Sequence, residues 1–323
     1  MKKFLIFICV MSLFTMGAKP QEKFPDAEIT NGIIHAHFYL PDAKNGYYQA
    51  TRFDWSGIIT SLEYKGHNYY GKWFEKYSPT IHDAIMGPVE EFDQVGYSDA
   101  KIGGSFIKIG VGALSKPEES VYNKFKLYQI VNHGKWKVRK KSDQIQFIHN
   151  LSDTEYSYEY SKTIQLTKGK PEMVIIHTLK NTGRQTIETD VYNHNFLVMD
   201  KQPTGPGYVV KFPFTLNGTC RGNGDMANMQ GNQITFLRDL TKSENFFCNR
   251  VTGFNDTVND YDIRVENTKA GAGVRITSDH PIFKMVFWSS STTVCPEPYI
   301  KIKVEPGQEL NWKINYEYYT LNP

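Results

Sequence analysis

Two short polar stretches carry residue types that are suited to acid–base chemistry. Asn193-His194-Asn195 follows Ile187 to Tyr192, a run typical of a β-strand, and Glu297 lies between Pro296 and Pro298. Proline fixes its own φ and restricts the residue before it, so the direction of this carboxylate is constrained. An imidazole titrates near neutral pH, where an unperturbed glutamate is ionised, so the two groups suit proton transfer to and from a ligand. A purely structural histidine remains the alternative on the Asn-His-Asn motif alone.

The segments that must position these residues read as strands. No long segment has apolar residues at helical spacing with helix caps. Short alternating runs, separated by Gly, Asn and Pro, instead recur from Ile33 to Tyr319, and Asn181-Thr182-Gly183 predicts a tight turn before the strand of His194. Many short strands predict an all-β sandwich or barrel. The sequence has no repeat of 20–50 residues, which argues against a propeller or solenoid. Without a linker after residue 25, we expect one domain over 19–323.

The same stretches resemble the galactose mutarotase (aldose 1-epimerase) superfamily. The matching motifs are Leu179-Lys180-Asn181-Thr182 with Asn193-His194-Asn195-Phe196, and Glu297-Pro298 with Pro306-Gly307 and a Tyr-rich last strand. Residues 46–66 are predicted to form two strands, and Gly57 to Leu62 within them resembles an early hairpin of the family. The resemblance implies a galactose mutarotase-like supersandwich of two large twisted antiparallel sheets. It also implies His194 as the catalytic acid, Glu297 as the base, and no cofactor.

Substrate-binding candidates surround this pair in the sequence. Arg52 can donate a fork of hydrogen bonds to sugar hydroxyls or to a carboxylate, although a surface arginine explains it equally well. The family carries an arginine and a second histidine near 82–92, where only His82 matches here, so we expect Glu91, beside Glu90, to accept hydroxyls instead. The resemblance also implies a substrate-binding aspartate, Asp260 or Asp256, and Asn193 adjoins the proposed acid.

Composition excludes several other functions. The net charge is +3 with Lys and Arg spread along the chain, which argues against nucleic acid. His35 and His37 share a strand face without a third ligand, so no metal site is predicted. Aromatic residues make up 14% of the chain, with 20 Tyr and 20 Phe; they suit strand packing and are also the faces on which sugars stack. Core packing explains most of these aromatic residues, and it is the resemblance to the mutarotases that implies a mono- or oligosaccharide as ligand.

The first 18 residues, MKKFLIFICVMSLFTMGA, have the plan of a secretory signal peptide. No later stretch reaches membrane length, so we predict a periplasmic or secreted protein, a monomer or weak dimer, with lipid anchoring as the minor alternative. After processing, Cys220, Cys248 and Cys295 remain, and whether Cys220 pairs with Cys248 stays open.

The sequence therefore predicts an exported sugar-binding protein that interconverts anomers in the manner of an aldose 1-epimerase. Two alternatives remain. One is a carbohydrate-binding protein that has lost turnover. The other is an enzyme that acts on an oligosaccharide or uronate with the same scaffold.

Overall fold

A computed structural model describes residues 24–153 and 155–321; the predicted signal peptide, 1–18, lies outside this part of the chain. The regular secondary structure of the described chain consists of β-strands and two short 3₁₀ turns, Met199–Lys201 and Val258–Asp260. The strands of its first half are β1 (Asp26–Thr30), β2 (Ile34–Tyr39), β3 (Ile58–Tyr64), β4 (His67–Asn68), β5 (Gly87–Phe92), β6 (Ser105–Lys108), β7 (Gly112–Ser115), β8 (Ile130–Asn132), β9 (Lys135–Lys140), β10 (Gln144–Leu151), β11 (Tyr158–Leu166) and β12 (Glu172–Asn181). The strands of its second half are β13 (Ile187–Phe196), β14 (Tyr208–Lys211), β15 (Asn217–Arg221), β16 (Ala227–Gln230), β17 (Gln233–Phe236), β18 (Asn245–Thr252), β19 (Asp262–Asn267), β20 (Ala272–Ser278), β21 (Lys284–Ser290), β22 (Thr293–Val304) and β23 (Glu309–Thr320).

Two large antiparallel sheets dominate the fold. Ten strands form one sheet in the order β16-β17-β14-β19-β20-β23-β12-β11-β10-β9, and six form the other in the order β15-β18-β21-β22-β13-β5. Smaller sheets of four strands (β1 to β4) and three strands (β6 to β8) flank them. The predicted turn at residues 181–183 joins β12 to β13, which lie in different large sheets. The prediction of an all-β fold with two large antiparallel sheets is confirmed.

The inner faces of the two large sheets form the main core. Along β12 the buried residues alternate with partly or fully exposed ones, as expected for a strand with one face in the core. Phe92 of β5 meets Trp312 of β23 with ring centroids 6.2 Å apart, so side chains from the two sheets interdigitate. A second apolar cluster covers the other face of the six-stranded sheet and includes Phe53, Trp55 and Phe196. Several strands of this sheet are therefore covered on both faces.

The segment between β2 and β3 differs from the prediction. Residues 46–66 were expected to form two strands, but the first half is irregular and only Ile58–Tyr64 is a strand. Its backbone bonds to distant segments instead: Asp54 N–H donates to Glu90 O at 2.9 Å and Trp55 N–H to Gly110 O at 3.1 Å. These tertiary hydrogen bonds replace a ladder and place Arg52 beside β5.

A disulfide joins Cys220 on β15 to Cys248 on β18, which settles the pairing that the sequence left open. Cys295 is a buried free thiol. Within residues 24–153 and 155–321, no helix is long and apolar enough to cross a membrane.

Candidate active site

Strand β13 presents one row of side chains to each face of the six-stranded sheet. Tyr192, His194 and Phe196 lie on the outer face, where they line a cleft of about 520 Å³. Asn193 and Asn195 lie between them in sequence and therefore point to the inner face, because successive side chains of a strand alternate. Asn195 donates to Pro296 O at 2.8 Å and accepts from the Tyr316 hydroxyl at 2.8 Å.

Strand β22 brings Glu297 beside His194, although two prolines flank that glutamate. The continuous ladder between β13 and β22 ends at the pair Tyr192–Tyr299 and resumes only as a bridge between Leu197 and Val294. Pro296 and Pro298 lie in this gap, where the side-chain amide of Asn195 donates to Pro296 O. Because the ladder with β13 is interrupted here, the N–H that each proline lacks is not needed for a ladder bond to β13. The interruption lies where Glu297 and His194 face each other.

His194 and Glu297 form a close, buried pair. His194 Nε2 lies 3.2 Å from Glu297 Oε1, and each side chain is only 5% exposed. Nδ1 of His194 is buried and has no hydrogen-bond partner among the described residues, so Nε2 is the nitrogen placed to exchange a proton. The two sequence-predicted catalytic residues therefore meet in one cleft.

Aromatic rings surround the imidazole and hold its orientation. The His194 ring stacks on Phe196 with centroids 3.8 Å apart, and the rings of Phe53 and Trp288 each meet it edge-on at 5.7 Å. Burial among these rings disfavours the imidazolium and lowers the pKa of His194 well below its usual value, and the charge of Arg52 adds to the effect. Burial also raises the pKa of Glu297 to about 7. Near neutral pH the imidazole is therefore neutral and the Glu297 carboxyl is about half protonated.

Arg52 organises the polar side of the cleft. Its guanidinium donates to Glu91 Oε2 at 2.7 Å and to the Tyr192 hydroxyl at 3.2 Å, and it also pairs with Asp83. The ring of Phe53 packs on it at 4.5 Å, so the guanidinium is nearly buried and its pKa is raised by these partners despite burial. Arg52 thus serves mainly to fix acceptor groups, and it is not a surface arginine.

Lys124 reaches the same group of charges from the loop between β7 and β8. Its Nζ lies 3.3 Å from Glu91 Oε1 and 5.5 Å from the centre of the Tyr192 ring. Although burial opposes ionisation of Glu91, the neighbouring Arg52 and Lys124 hold the pKa of that carboxyl below its usual range. We call Arg52, Asp83, Glu91 and Lys124 the charge cluster.

The two ends of the cleft differ in chemistry. Trp73 and Trp288 line one end, and Trp73 stacks on Phe196 with centroids 4.8 Å apart. The other end is lined by Asp93, Asp190 and Lys284, and the Lys284 ammonium lies 4.3 Å from the centre of the Tyr299 ring. Burial and the nearby Asp93 carboxylate raise the pKa of Asp190. An apolar wall and a charged wall thus flank the histidine–glutamate pair.

Three residues predicted to bind substrate do not line this cleft. His82 lies behind Asp83, with Nδ1 2.8 Å from Asp83 Oδ1, and packs against Phe125. Asn193 points inward and donates to Glu90 Oε1 at 2.9 Å. Asp260 is in an exposed turn, where it accepts from the backbone and side chain of Asn255. Of the predicted substrate-binding residues, only Arg52 and Glu91 line the cleft.

A buried charge network lies directly behind the cleft. Glu90 on β5 accepts from His177 Nε2 at 2.8 Å and pairs with Lys162, whose Nζ is 3.8 Å from Asp54 Oδ2. All four side chains are completely buried. The Lys162 ammonium and His177 lower the pKa of Glu90 against its burial, whereas burial raises the pKa of Asp54. Asp54, Glu90, Lys162 and His177 therefore cross-link the two large sheets beneath β13.

Sequence patterns did not identify several residues of the cleft. Trp73, Asp83 and Lys124 are in loops whose return to the cleft no motif indicates, whereas Trp288 and Lys284 lie on a strand that the alternation predicted. In the described part of the chain, no group of three His, Cys, Asp or Glu side chains is arranged to hold a metal ion.

Comparison with solved structures identifies the fold. Over 92% of this chain and 99% of the other, it superimposes on a putative aldose 1-epimerase from Escherichia coli K12 with a TM-score of 0.56 at 12% identity. It matches the GalM/aldose epimerase homologue from C. elegans over 92% of this chain and 99% of that one (TM-score 0.55, 12% identity). A galactose mutarotase-like protein from Lactobacillus casei ATCC 334 matches over 91% and 100% of the two chains (TM-score 0.55, 12% identity). The chain has the galactose mutarotase-like fold, as the sequence motifs indicated.

Sequence comparisons give no closer relative. No family model matches the chain, and no curated protein matches it by sequence. The residues of the cleft must therefore supply the argument about function.

Proposed function

We propose that this protein binds a sugar in the cleft and interconverts its α and β anomers, as an aldose 1-epimerase does. The observation that carries the proposal is the buried pair of His194 and Glu297, whose Nε2 and Oε1 atoms are 3.2 Å apart. The cleft around this pair is lined by aromatic rings and by carboxylates that can accept hydrogen bonds from sugar hydroxyls. The fold is one that proteins described as aldose epimerases share. Fold alone does not define an activity, so the proposal depends on this pair.

Anomer exchange requires one proton to leave the anomeric hydroxyl and one to reach the ring oxygen. In the active form, the Glu297 carboxylate accepts the hydroxyl proton as protonated His194 donates to the ring oxygen, and the C–O bond of the hemiacetal breaks. After rotation about the C1–C2 bond, the carbonyl carbon is attacked on its other face and the two protons return. The roles of the two residues are reversed in this second half, so no proton is gained or lost overall.

The pair needs one proton between its two residues for this cycle. The depressed pKa of His194 and the raised pKa of Glu297 place that proton on the carboxyl before a sugar binds. A bound sugar donates its anomeric hydroxyl to Glu297 and accepts from His194 at its ring oxygen. These two hydrogen bonds favour an ionised Glu297 and a protonated His194. The electrostatics of the empty site therefore favour the reverse of the proposed roles, and the bound sugar must shift the proton from Glu297 to His194.

The charge cluster supports binding of hydroxyl groups. Glu91 and Asp83 keep acceptor oxygens at the cleft, while Arg52 and Lys124 hold them ionised and in place. Because both cations already have carboxylate partners, they are poor sites for an anionic sugar. We propose Arg52 as a residue that positions Glu91, and His82, Asn193 and Asp260 are not part of the proposed site.

A uronate remains the second candidate because of Lys284. Its ammonium lines the cleft and forms no ion pair within 4.0 Å with any described residue. A sugar carboxylate could pair with it, although Asp190 and Asp93 line the same end. We expect neutral aldoses to bind more tightly than their uronates, which competition between glucose and glucuronate measures.

The main test follows anomer exchange directly. Exchange spectroscopy by NMR on glucose and galactose should show faster interconversion with the protein than without it. Glu297→Gln and His194→Asn should each slow the catalysed exchange by about 10²–10⁴-fold, the usual contribution of one acid–base group. Glu188→Gln, at an exposed position of the same strand as His194, is the matched control and should leave the rate unchanged.

A different result would identify a binding module. If sugar signals broaden in the presence of protein but exchange is no faster, the cleft binds sugar without turnover. If neither occurs across a panel of aldoses and uronates, the proposed function is wrong.

Export is part of the same proposal. A disulfide between β15 and β18 fits a protein that folds in an oxidising compartment, and the leader-like first 18 residues fit transport to one. We propose a periplasmic or secreted protein that acts on sugar outside the cytoplasm.

A further inference from the structure

The most basic stretch of the chain lies outside the cleft, on β9. Lys135, Lys137, Arg139, Lys140 and Lys141 place five cations in seven residues, without an acidic residue among them. The whole chain has a net charge of +3, so the remaining residues together carry −2. All five side chains belong to exposed residues, and none forms an ion pair within 4.0 Å with another described residue.

Three of these cations form a row on the outer face of the ten-stranded sheet. Lys135, Lys137 and Arg139 alternate along β9 and are therefore about 6.6 Å apart from one to the next. Trp136, between them, points the other way and stacks on His149 with ring centroids 4.1 Å apart. This inward anchor fixes which face the cations occupy.

The neighbouring strands add neutral polar groups to the row. On β10, Asn150 is opposite Lys135 and Gln146 is opposite Arg139, and Gln146 donates to the Ser161 hydroxyl of β11 at 3.1 Å. The nearest acidic residue across this face, Glu159, is two strands away from Lys135. The result is a solvent-facing surface with a line of cations beside the amides of Asn150 and Gln146, and with Ile148 opposite Lys137 between these two amides.

Protection of a sheet edge does not account for this surface. Lysines on edge strands do prevent sheets from pairing with each other, and β9 is the last strand of its sheet. The opposite edge of that sheet, β16, has the sequence Ala-Asn-Met-Gln and carries no charge. The fold thus leaves one comparable edge uncharged, while the other has several like charges that repel each other.

We propose that the outer face of β9 binds an acidic polysaccharide, a chain of sugars that carry carboxylates at regular intervals. The row of Lys135, Lys137 and Arg139 would pair with successive carboxylates, while Asn150 and Gln146 bond to sugar hydroxyls. Nucleic acid is disfavoured because the aromatic residue of the strand, Trp136, faces inward and offers no base a stacking surface. The choice of a polysaccharide among polyanions rests on the proposed sugar-binding function.

Affinity electrophoresis tests this surface. Mature protein should be retarded in gels that contain polygalacturonate but not in gels that contain its methyl-esterified, uncharged form. Replacement of Lys135, Lys137 and Arg139 together by Glu should weaken the retardation at least about tenfold, and the interaction should weaken with added salt because it is electrostatic. A triple Gln variant at the same positions should give an intermediate loss.

A matched variant separates a local site from overall charge. Lys44, Lys76 and Lys201 are exposed and lie outside the ten-stranded sheet that carries β9, and their replacement by Glu changes the net charge by the same amount. This variant should keep its retardation. An equal loss in both triple variants, or no retardation of the wild type, would overturn the proposal.

Two further measurements separate polysaccharide binding on β9 from lipid binding and from catalysis in the cleft. Binding to vesicles of phosphatidylglycerol in phosphatidylcholine, without binding to polygalacturonate, would show a lipid surface and contradict the proposal. The β9 variants should interconvert the anomers of free glucose at the wild-type rate. If polygalacturonate binds through β9 but neither the wild type nor the β9 variants accelerate anomer exchange, the epimerase proposal fails and the β9 proposal stands. If the wild type accelerates anomer exchange but does not bind polygalacturonate, only the β9 proposal fails.

Discussion

At the scale of single residues, the proposed anomer exchange depends on how His194 and Glu297 share a proton. Burial lowers the pKa of His194 well below its usual value and raises that of Glu297 to about 7. The effect comes mainly from taking both groups out of water, since an isolated buried group favours its neutral form. Because His194 Nε2 and Glu297 Oε1 are only 3.2 Å apart, the two groups titrate together, and each observed pKa belongs to the pair.

We predict a bell-shaped dependence of kcat/KM on pH for anomer exchange. Above about pH 7 the pair loses its proton and has no acid, so the rate falls about tenfold for each further pH unit. Below the depressed pKa of His194 the pair gains a second proton and lacks a base, so the rate falls again. NMR exchange rates measured between about pH 4 and 9, with the uncatalysed rate subtracted at each pH, check this profile.

Substitution assigns the alkaline limb to one residue of the pair. A glutamate and histidine with ordinary pKa values would also give a fall in rate, above about pH 6.5, so the position of the limb alone does not identify Glu297. A rate that remains constant to pH 9 would show that Glu297 does not hold the proton of the pair. Lys284→Met supplies a graded control: its ammonium lowers the pKa of Glu297, so its loss should move the alkaline limb to higher pH.

Individual side chains also show which parts of the site the sequence could identify. His194 and Glu297 were predicted from motifs and face each other in the structure. Asn193 could have been excluded from the same strand assignment, because residues 193 and 194 of a strand face opposite sides. Asp260 was proposed by resemblance alone, and the turn of Asn255 and Asp260 satisfies that carboxylate locally.

At the scale of secondary-structure elements, β5 presents one glutamate to the cleft and one to the interior between the two large sheets. Glu91 points to the cleft and joins the charge cluster, while Glu90 points inward to Lys162 and His177. Two adjacent glutamates in one strand therefore serve different faces of the same sheet. The motif Glu-Glu alone gives no sign of this division; the strand assignment supplies it.

We predict that Glu90→Gln lowers the free energy of unfolding by about 3–5 kcal/mol, since it leaves the fully buried Lys162 ammonium without its nearest carboxylate. Urea unfolding monitored by Trp fluorescence measures the change. Glu159→Gln, on the exposed face of β11, is the control and should stay within about 0.5 kcal/mol of the wild type. A loss for Glu90→Gln no larger than that of the control would mean that Asp54 alone neutralises Lys162.

At the scale of the whole molecule, the sequence determined the strands better than the connections between them. Alternating runs located most strands of both large sheets, and the family motifs indicated how the sheets are arranged. The loops that complete the cleft carry Arg52, Asp83 and Lys124, and their positions depend on tertiary contacts such as the hydrogen bond from Asp54 N–H to Glu90 O. Contacts between distant segments leave no period in the sequence, so Asp83 and Lys124 could not be predicted, whereas Arg52 was a candidate because of its hydrogen-bonding capacity.

The disulfide and the N-terminal leader lead to one prediction for the whole protein. Expressed with its first 18 residues in a bacterium that has an oxidising periplasm, the protein should be recovered there, with a mass that matches a chain beginning near Lys19 and lacking two hydrogens. The missing hydrogens correspond to the bond between Cys220 and Cys248, since Cys295 is a buried thiol. Intact-mass spectrometry before and after reduction measures both features.

A chain that begins at Lys19 is the matched control for export. It should stay in the cytoplasm with three reduced cysteines, because thiols are kept reduced there.

Closing the segment between Cys220 and Cys248, which are 28 positions apart, should stabilise the exported form by about 3–4 kcal/mol, as the loss of chain entropy in the unfolded state predicts. Equal unfolding free energies for the two forms would show that the bond contributes nothing to stability. Recovery of the full-length chain in the membrane fraction with an acylated cysteine would instead favour the lipid-anchored alternative.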